Sequence, residues 1–227
     1  GRTKGNKMIK SQNGWAVQFS SKGLWKHPPV GPILSGAVWV VFNWFLSQYE
    51  ATVEPIGRYS GSWNHRKIKG SAKWSNHASA TAVDLNWKAH PAGHGPYAGF
   101  TTAQRATVKA LLKRAGGVLR WGGPAFNDPM HFEIAPGVTL AQVEKLATSI
   151  LQAALSDLGY DLGRAGVDGV RGVRTLGALT AFQTDHSLTG DQVDGPATWA
   201  AIAAASAPVA AALQAAATLP AIEEVDA

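Results

Sequence analysis

The chain changes character near residue 146, and that break constrains its architecture more than any other feature. Up to residue 148 it holds 18 Lys or Arg against 6 Asp or Glu, a net charge of +12. From 149 to 227 it holds 3 against 9, a net charge of −6. A split of this kind predicts two units with different surfaces. The hydropathy pattern changes at the same place. The first part mixes one dense apolar run with glycine- and tryptophan-rich stretches, whereas the second repeats short helical patterns separated by Asp-Gly turns.

In the first part, the apolar density over 36–47, closed by Pro55, predicts a core helix, and the run 33–46 is too short to cross a bilayer. Residues 57–76 lack periodicity and read as a loop-rich surface. The alternation over 80–85 predicts a strand, and 91–96 a glycine- and proline-rich loop. Thr101 or Thr102 caps a helix that runs to Ala115 and stops at Gly116-Gly117. Residues 130–134 read as a short strand ended by Pro136-Gly137. In the second part, Leu151, Leu155 and Leu158, then 175–186, then the run from Ala197 give three short helices, and 203–217 extends as an alanine-rich helix before an acidic end.

Composition narrows the chemistry. The sequence has no cysteine, so thiolate metal sites and cysteine nucleophiles are excluded and any metal site must use histidine and carboxylate. The basic first part is suited to a polyanion, nucleic acid or the anionic bacterial wall. The opening residues are polar and no apolar leader is visible; residues 1–7 read as an expression remnant ahead of a start at Met8.

Histidines and carboxylates recur at two places. His77 precedes Asp84 by seven residues, and Asp128, His131 and Glu133 lie together far downstream. Two imidazoles and one carboxylate make a catalytic zinc set that keeps a fourth position for water, although buried hydrogen-bonded histidines produce the same spacing. Asp128 is placed to act as general acid and base. Arg66, with Arg58 as second choice, is a candidate cation for an oxyanion or a substrate carboxylate. Glu133 fits either a supporting carboxylate behind His131 or a surface residue. His65, His90 and His94 read as loop or groove residues, and His27 and His186 give no functional hint.

The run Ser75-x-His77-x-x-x-x-Ala82-x-Asp84-Leu85, then Trp121-Gly122-Gly123, then Asp128-x-x-His131-Phe132-Glu133 resembles the M15 family of zinc peptidases, over roughly 13–136. That family includes D-alanyl-D-alanine carboxypeptidases, vancomycin-resistance dipeptidases and phage endolysins that act as L-alanyl-D-glutamate endopeptidases. The resemblance implies Zn2+ held by His77, Asp84 and His131, with Asp128 as the catalytic acid and base. It matches Arg66 more loosely to the family's arginine. Many relatives have glutamate at the position of Asp128, and the endolysin branch often has aspartate there. One position departs: the family has glycine where this chain has Ala80, a strained choice if the backbone there needs a positive φ.

Behind it, Leu151-Gln152, Leu155, Leu158-Gly159-Tyr160, Val167-Asp168-Gly169, Thr175, Phe182-Gln183, Val193-Asp194-Gly195 and Thr198-Trp199 resemble a three-helix peptidoglycan-binding domain. Leu155, Leu158, Phe182 and Trp199 read as its core. Arg174, Thr175, Gln183 and Asp194 are candidate wall contacts, with helix caps and turns as the alternative. The fold expected is therefore α+β, a small antiparallel sheet with flanking helices followed by a three-helix domain. The division expected is a zinc peptidase over 8–145, a peptidoglycan-binding domain over 146–205 and a tail over 206–227. The function expected is a phage endolysin cutting the L-alanyl-D-glutamate bond, made in the host cytoplasm without a signal peptide and acting on the wall. A D-alanyl-D-alanine carboxypeptidase and a non-catalytic wall binder are the alternatives. The partner expected is peptidoglycan, with no nucleic acid, no membrane insertion and a monomeric state.

Overall fold

The computed structural model describes residues 8–217, so the expected remnant 1–7 and the acidic end of the tail lie outside the described residues. The elements run β1 (Trp25–His27), β2 (Gly31–Ile33), α1 (Ala37–Thr52), β3 (Ala82–Asp84), α2 (Thr102–Arg114), β4 (Leu119–Trp121), α3 (Gly122–Phe126), β5 (His131–Ile134), α4 (Leu140–Asp157), α5 (Val173–Asp185) and α6 (Pro196–Ala217). The chain divides into two compact units between Ile150 and Leu151. The class is α+β, with small antiparallel sheets in the first unit and helices in the second. No helix of the described residues is long and apolar enough to cross a membrane.

The core of the first unit explains the length of α1. Val38, Trp39, Val41, Phe42, Phe45, Leu46 and Tyr49 are all buried, and Tyr49 lies one turn beyond Phe45, so the apolar stripe continues past Ser47. The helix therefore runs to Thr52, five residues beyond the sequence expectation, and stops before Pro55. Its buried face meets the sheet through Phe132, whose ring centroid is 5.0 Å from Phe45 and 5.9 Å from Tyr49. Replacing a ring in such a site by alanine costs about 3–5 kcal/mol. α2 begins as its sequence announces: the Thr101 hydroxyl accepts from the Gln104 N–H while the Gln104 side chain accepts from the Thr101 N–H.

A three-stranded antiparallel sheet in the order β3-β5-β4 carries the chemistry. Its register pairs Val83 with Phe132, Asp84 with His131, and Ala82 with Glu133. Side chains alternate between faces, so Val83 and Phe132 turn toward α1 while Asp84, His131 and Glu133 share the opposite face. β4 places Arg120 directly across from Glu133 on that same face.

In the second unit the same hydrogen-bonded clamp is built twice. The Gln152 side-chain N–H groups reach Asp168 Oδ1 (2.8 Å), the Val170 carbonyl (3.1 Å) and Thr175 Oγ1 (2.9 Å). Gln183 repeats the pattern with Asp191 Oδ1 (3.0 Å), the Val193 carbonyl (3.1 Å) and Thr198 Oγ1 (3.2 Å). Each glutamine, fixed in a helix, thus ties down the following turn and the start of the next helix. Arg171 and Asp194 occupy equivalent places in the two copies and pair at 2.8 Å.

Two of the four candidate wall contacts are corrected by this arrangement. Thr175 is 3% exposed and Gln183 is 1% exposed, and their polar atoms are spent on the clamps, so neither has surface to offer a polymer. Asp194 is half-buried in its pair with Arg171, and Arg174 is exposed with its aliphatic part against Gly163.

Candidate metal centre

His77, Asp84 and His131 come together. His77 Nε2 lies 3.2 Å from Asp84 Oδ2 and 3.2 Å from His131 Nδ1, and His131 Nδ1 lies 2.9 Å from Asp84 Oδ1. Asp84 and His131 meet because they are directly opposed across β3 and β5. His77 arrives from the tight run 75–81, which is entirely buried. Asn76 anchors that run, accepting the Asn13 backbone N–H and donating to Glu133. The run closes through a turn at Ala80 with φ of 57°, so the position that departs from the resembled family does adopt the left-handed conformation that glycine accommodates best.

The protonation pattern around the trio is set from outside it. His77 Nδ1 faces the Ser62 carbonyl at 2.6 Å, so it must carry hydrogen and donate. That carbonyl is delivered by the edge at Gly61, which exchanges backbone hydrogen bonds with Asp84. His131 Nε2 donates to Glu133 Oε2 at 2.9 Å. Both imidazoles, when neutral, therefore turn a lone pair toward each other and toward the Asp84 carboxylate. The two imidazole nitrogens lie 3.2 Å apart and each faces one oxygen of Asp84, at 3.2 Å for His77 and 2.9 Å for His131, so these lone-pair atoms with no hydrogen between them repel unless a cation sits among them. Zinc bonds of about 2.0–2.1 Å in a tetrahedron separate ligand atoms by roughly 3.3 Å, so the donor set and its spacing fit zinc.

Without a metal, only protons can relieve that repulsion. Burial alone would lower the His131 pKa, but its hydrogen bonds to Asp84 and Glu133, and their charges, outweigh burial and push it up to about 9. Burial would raise the Asp84 carboxyl, yet the charge of His77 and the hydrogen bonds from both imidazoles hold it well below the usual carboxylate range.

Glu133 is 1% exposed and is not the surface residue that its sequence position also allowed. It accepts from His131, from Asn76 and from the Arg120 guanidinium. Its carboxyl is held down because these hydrogen bonds, His131 first, outweigh burial. Arg120, Asn76, Asn13 and the Ser62 carbonyl escaped the sequence reading. The one trace of Arg120 was a lone charge inside the apolar run Val118-Leu119-Arg120-Trp121.

Asp128 stands at the rim of the trio. Its pKa is raised chiefly by burial, against the opposing charges of His131, His77 and Arg66. Its Oδ1 is buried and has no hydrogen-bond partner. The loop that carries it is built by close approach. A Cβ on Gly122 would come within 2.8 Å of the Asp128 carbonyl, and one on Gly123 within 2.1 Å of the Pro96 carbonyl, which explains Trp121-Gly122-Gly123 in the motif. The Trp121 indole N–H then fixes the Pro129 carbonyl at 2.7 Å.

The remaining candidates separate. Arg66 is exposed and close enough for its charge to act on Asp128, whereas Arg58 is held against the Tyr59 hydroxyl at 2.7 Å. His90 is 1% exposed, stacked on Phe100 and paired with Glu54 at 2.6 Å. His94 lies exposed in its loop, and His65 packs against Phe19 and Trp74.

Residues 69–134 match the family described as D-alanyl-D-alanine carboxypeptidase, within the M15 peptidases, and residues 146–202 match the one described as a putative peptidoglycan binding domain. No curated protein and no solved structure matches the chain. The chain thus carries a stretch similar to the M15 peptidases, which are generally zinc-dependent, followed by a stretch similar to peptidoglycan-binding domains. That pairing is the organisation of a peptidase that acts on the bacterial wall.

Proposed function

We propose that the chain is a zinc-dependent endopeptidase that cuts the L-alanyl-D-glutamate bond of peptidoglycan stem peptides and acts as a phage endolysin. The observation that carries this reading is the convergence of His77 Nε2, Asp84 and His131 Nδ1 as three lone-pair donors beside the unpartnered Asp128 Oδ1. Zinc held by His77, Asp84 and His131 would supply Lewis acidity and lower the pKa of water to about 7. Asp128 takes the proton of the attacking water and returns it to the leaving amine. Its raised pKa suits that exchange better than the ordinary aspartate value of about 3.9 would. Arg66 supplies positive charge for the oxyanion of the tetrahedral intermediate. Glu133, held by Arg120, keeps His131 in the tautomer that leaves Nδ1 free. The second unit holds the enzyme at an insoluble polymer, which raises the local concentration of cleavable bonds.

The aspartate at 128, frequent in the endolysin branch, favours the endopeptidase, and the accompanying wall-binding unit fits an enzyme that works on intact wall. The second reading, a D-alanyl-D-alanine carboxypeptidase, is favoured by the description of the family matched over 69–134. The deciding experiment is digestion of purified peptidoglycan with and without chelator, with released peptides and new termini identified by mass spectrometry. New amino termini on D-glutamate, lost with chelator and restored by zinc, are expected. Released D-alanine would move the assignment to the carboxypeptidase, and no cleavage would leave a wall-binding protein. Asp128→Ala should retain zinc and lose turnover; an active variant would remove Asp128 from the mechanism.

A further inference from the structure

Phe19, His65 and Trp74 form a three-ring cluster on the surface of the first unit. The ring centroids lie 5.0 Å apart for Phe19 and His65, 4.6 Å for His65 and Trp74, and 6.2 Å for Phe19 and Trp74. Phe19 is 62% exposed, His65 is exposed and Trp74 is half-buried. Burial does not account for a cluster so open to water, and rings gathered at a surface mark interaction sites.

The cluster is fastened to the run that carries His77. The Gln18 carbonyl accepts from the Trp63 indole at 3.2 Å and from His65 Nδ1 at 3.1 Å, while the Gln18 N–H donates to the Ala78 carbonyl at 2.8 Å. The Asn64 N–H donates to the His77 carbonyl itself. Polar groups rim the rings. The Lys67 ammonium lies 5.7 Å from the centre of the Trp74 ring. A cleft of about 320 Å³ opens beside Trp74, lined by Lys10, Gln12 and Lys73. Among the described residues, none of these three lysines is in an ion pair.

The geometry points to a saccharide platform: Phe19, His65 and Trp74 stack a pyranose ring of the wall glycan whose stem peptide enters the neighbouring metal centre. This rests on the peptidase reading above. An amino sugar presents a face of polarised C–H groups that packs on the negative face of an aromatic ring. Its acetamido and hydroxyl oxygens accept from the amide and ammonium donors that the adjoining cleft provides. Because the stem peptide is covalently attached to the glycan, a site that grips the peptide has sugar within reach. Nucleobases also stack on such rings, but the peptidoglycan-binding match in the same chain favours the sugar.

Two measurements on the full chain test this. The first is titration with tetra-N-acetylchitotetraose, followed by the indole N–H resonance of Trp74 and assigned by its loss in Trp74→Phe. A saturable shift that persists at high salt is expected. The second compares KM on insoluble sacculi with KM on a soluble stem peptide. For Phe19→Ala and Trp74→Ala the ratio of the two should rise by about 2- to 12-fold per ring, the worth of one aromatic contact. Phe19→Ala, at a position 62% exposed, keeps the test intact if Trp74→Ala does not fold. An unmoved Trp74 resonance, an unchanged ratio, or tighter and steeply salt-dependent binding of single-stranded DNA would each overturn the proposal. Failure of the wild type to cut soluble peptide would instead overturn the peptidase reading, with the Trp74 resonance still deciding the platform.

Discussion

Glu133→Gln tests how the metal centre is set up. The carboxylate accepts from His131 Nε2 and Asn76 Nδ2 on one oxygen and from Arg120 on the other. An amide of the same shape has one accepting oxygen and one NH2 group, so one pair of donors must face another donor. Arg120 is 34% exposed and can turn to water, while His131 and Asn76 are buried. The amide oxygen should therefore settle toward His131 and keep its tautomer. What is lost is the negative charge, which makes the hydrogen bond to His131 neutral and about half as strong. Mutation of such a partner weakens metal binding by about 10- to 100-fold, or about 1.4–2.7 kcal/mol, and loss of the charge alone is expected at the lower end of that range. Competition titration of zinc against a chelator of known affinity reads this directly. With zinc saturating, kcat should fall less than affinity does, because Asp128 is untouched. Zinc affinity within twofold of wild type would refute the reasoning and reduce Glu133 to a partner of Arg120.

Three further outcomes are expected. Ala80→Gly relieves a left-handed alanine worth about 1–2 kcal/mol and forfeits a buried methyl and chain entropy of similar size. It should leave thermal stability within about 1 kcal/mol of wild type, whereas Ala82→Gly, equally buried but in β3, loses about 1.5 kcal/mol; equal losses would refute the strain at Ala80. In zinc-free protein the raised pKa of His131 contributes stability that is complete below its unfolded value of about 6.5 and is lost as pH rises through about 9. Melting temperature should therefore fall between those pH values in chelator and stay flat with zinc bound; a flat chelated profile would contradict the arrangement. Gln183→Ala strips the second clamp of its donors and should cost about 2 kcal/mol or more in denaturant unfolding of the full chain, and a change under about 0.5 kcal/mol would show the turn to be self-sufficient.

What the sequence disclosed and what it hid follow one physical division. Elements that bury a periodic face or carry a capping hydroxyl were readable: the apolar stripe of α1, the cap of α2 at Thr101 or Thr102, and the alternation around Val83. β4 was not, because three residues with a central arginine carry no periodicity until a partner strand is known. The start of α4 was also missed; Leu140 to Gln142 are exposed, so its first turn has no apolar stripe to announce it.

At the site, spacing alone left His77, Asp84 and His131 open to a bland reading, and the motif resemblance selected the set. The support of the set was legible from neither. Opposition of Asp84 to His131, and of Arg120 to Glu133, is a property of strand register, which joins residues 47 and 13 positions apart. Slipping β5 by one residue would turn Phe132 outward and bury neither His131 nor Glu133 beside its partner. On the other face the Phe132 ring is stacked on Trp121 and packed at a tilt against Phe45, which prevents that slip. The apolar core therefore acts on the chemistry through register: packing of Phe132 is what aims the His131 imidazole at Asp84.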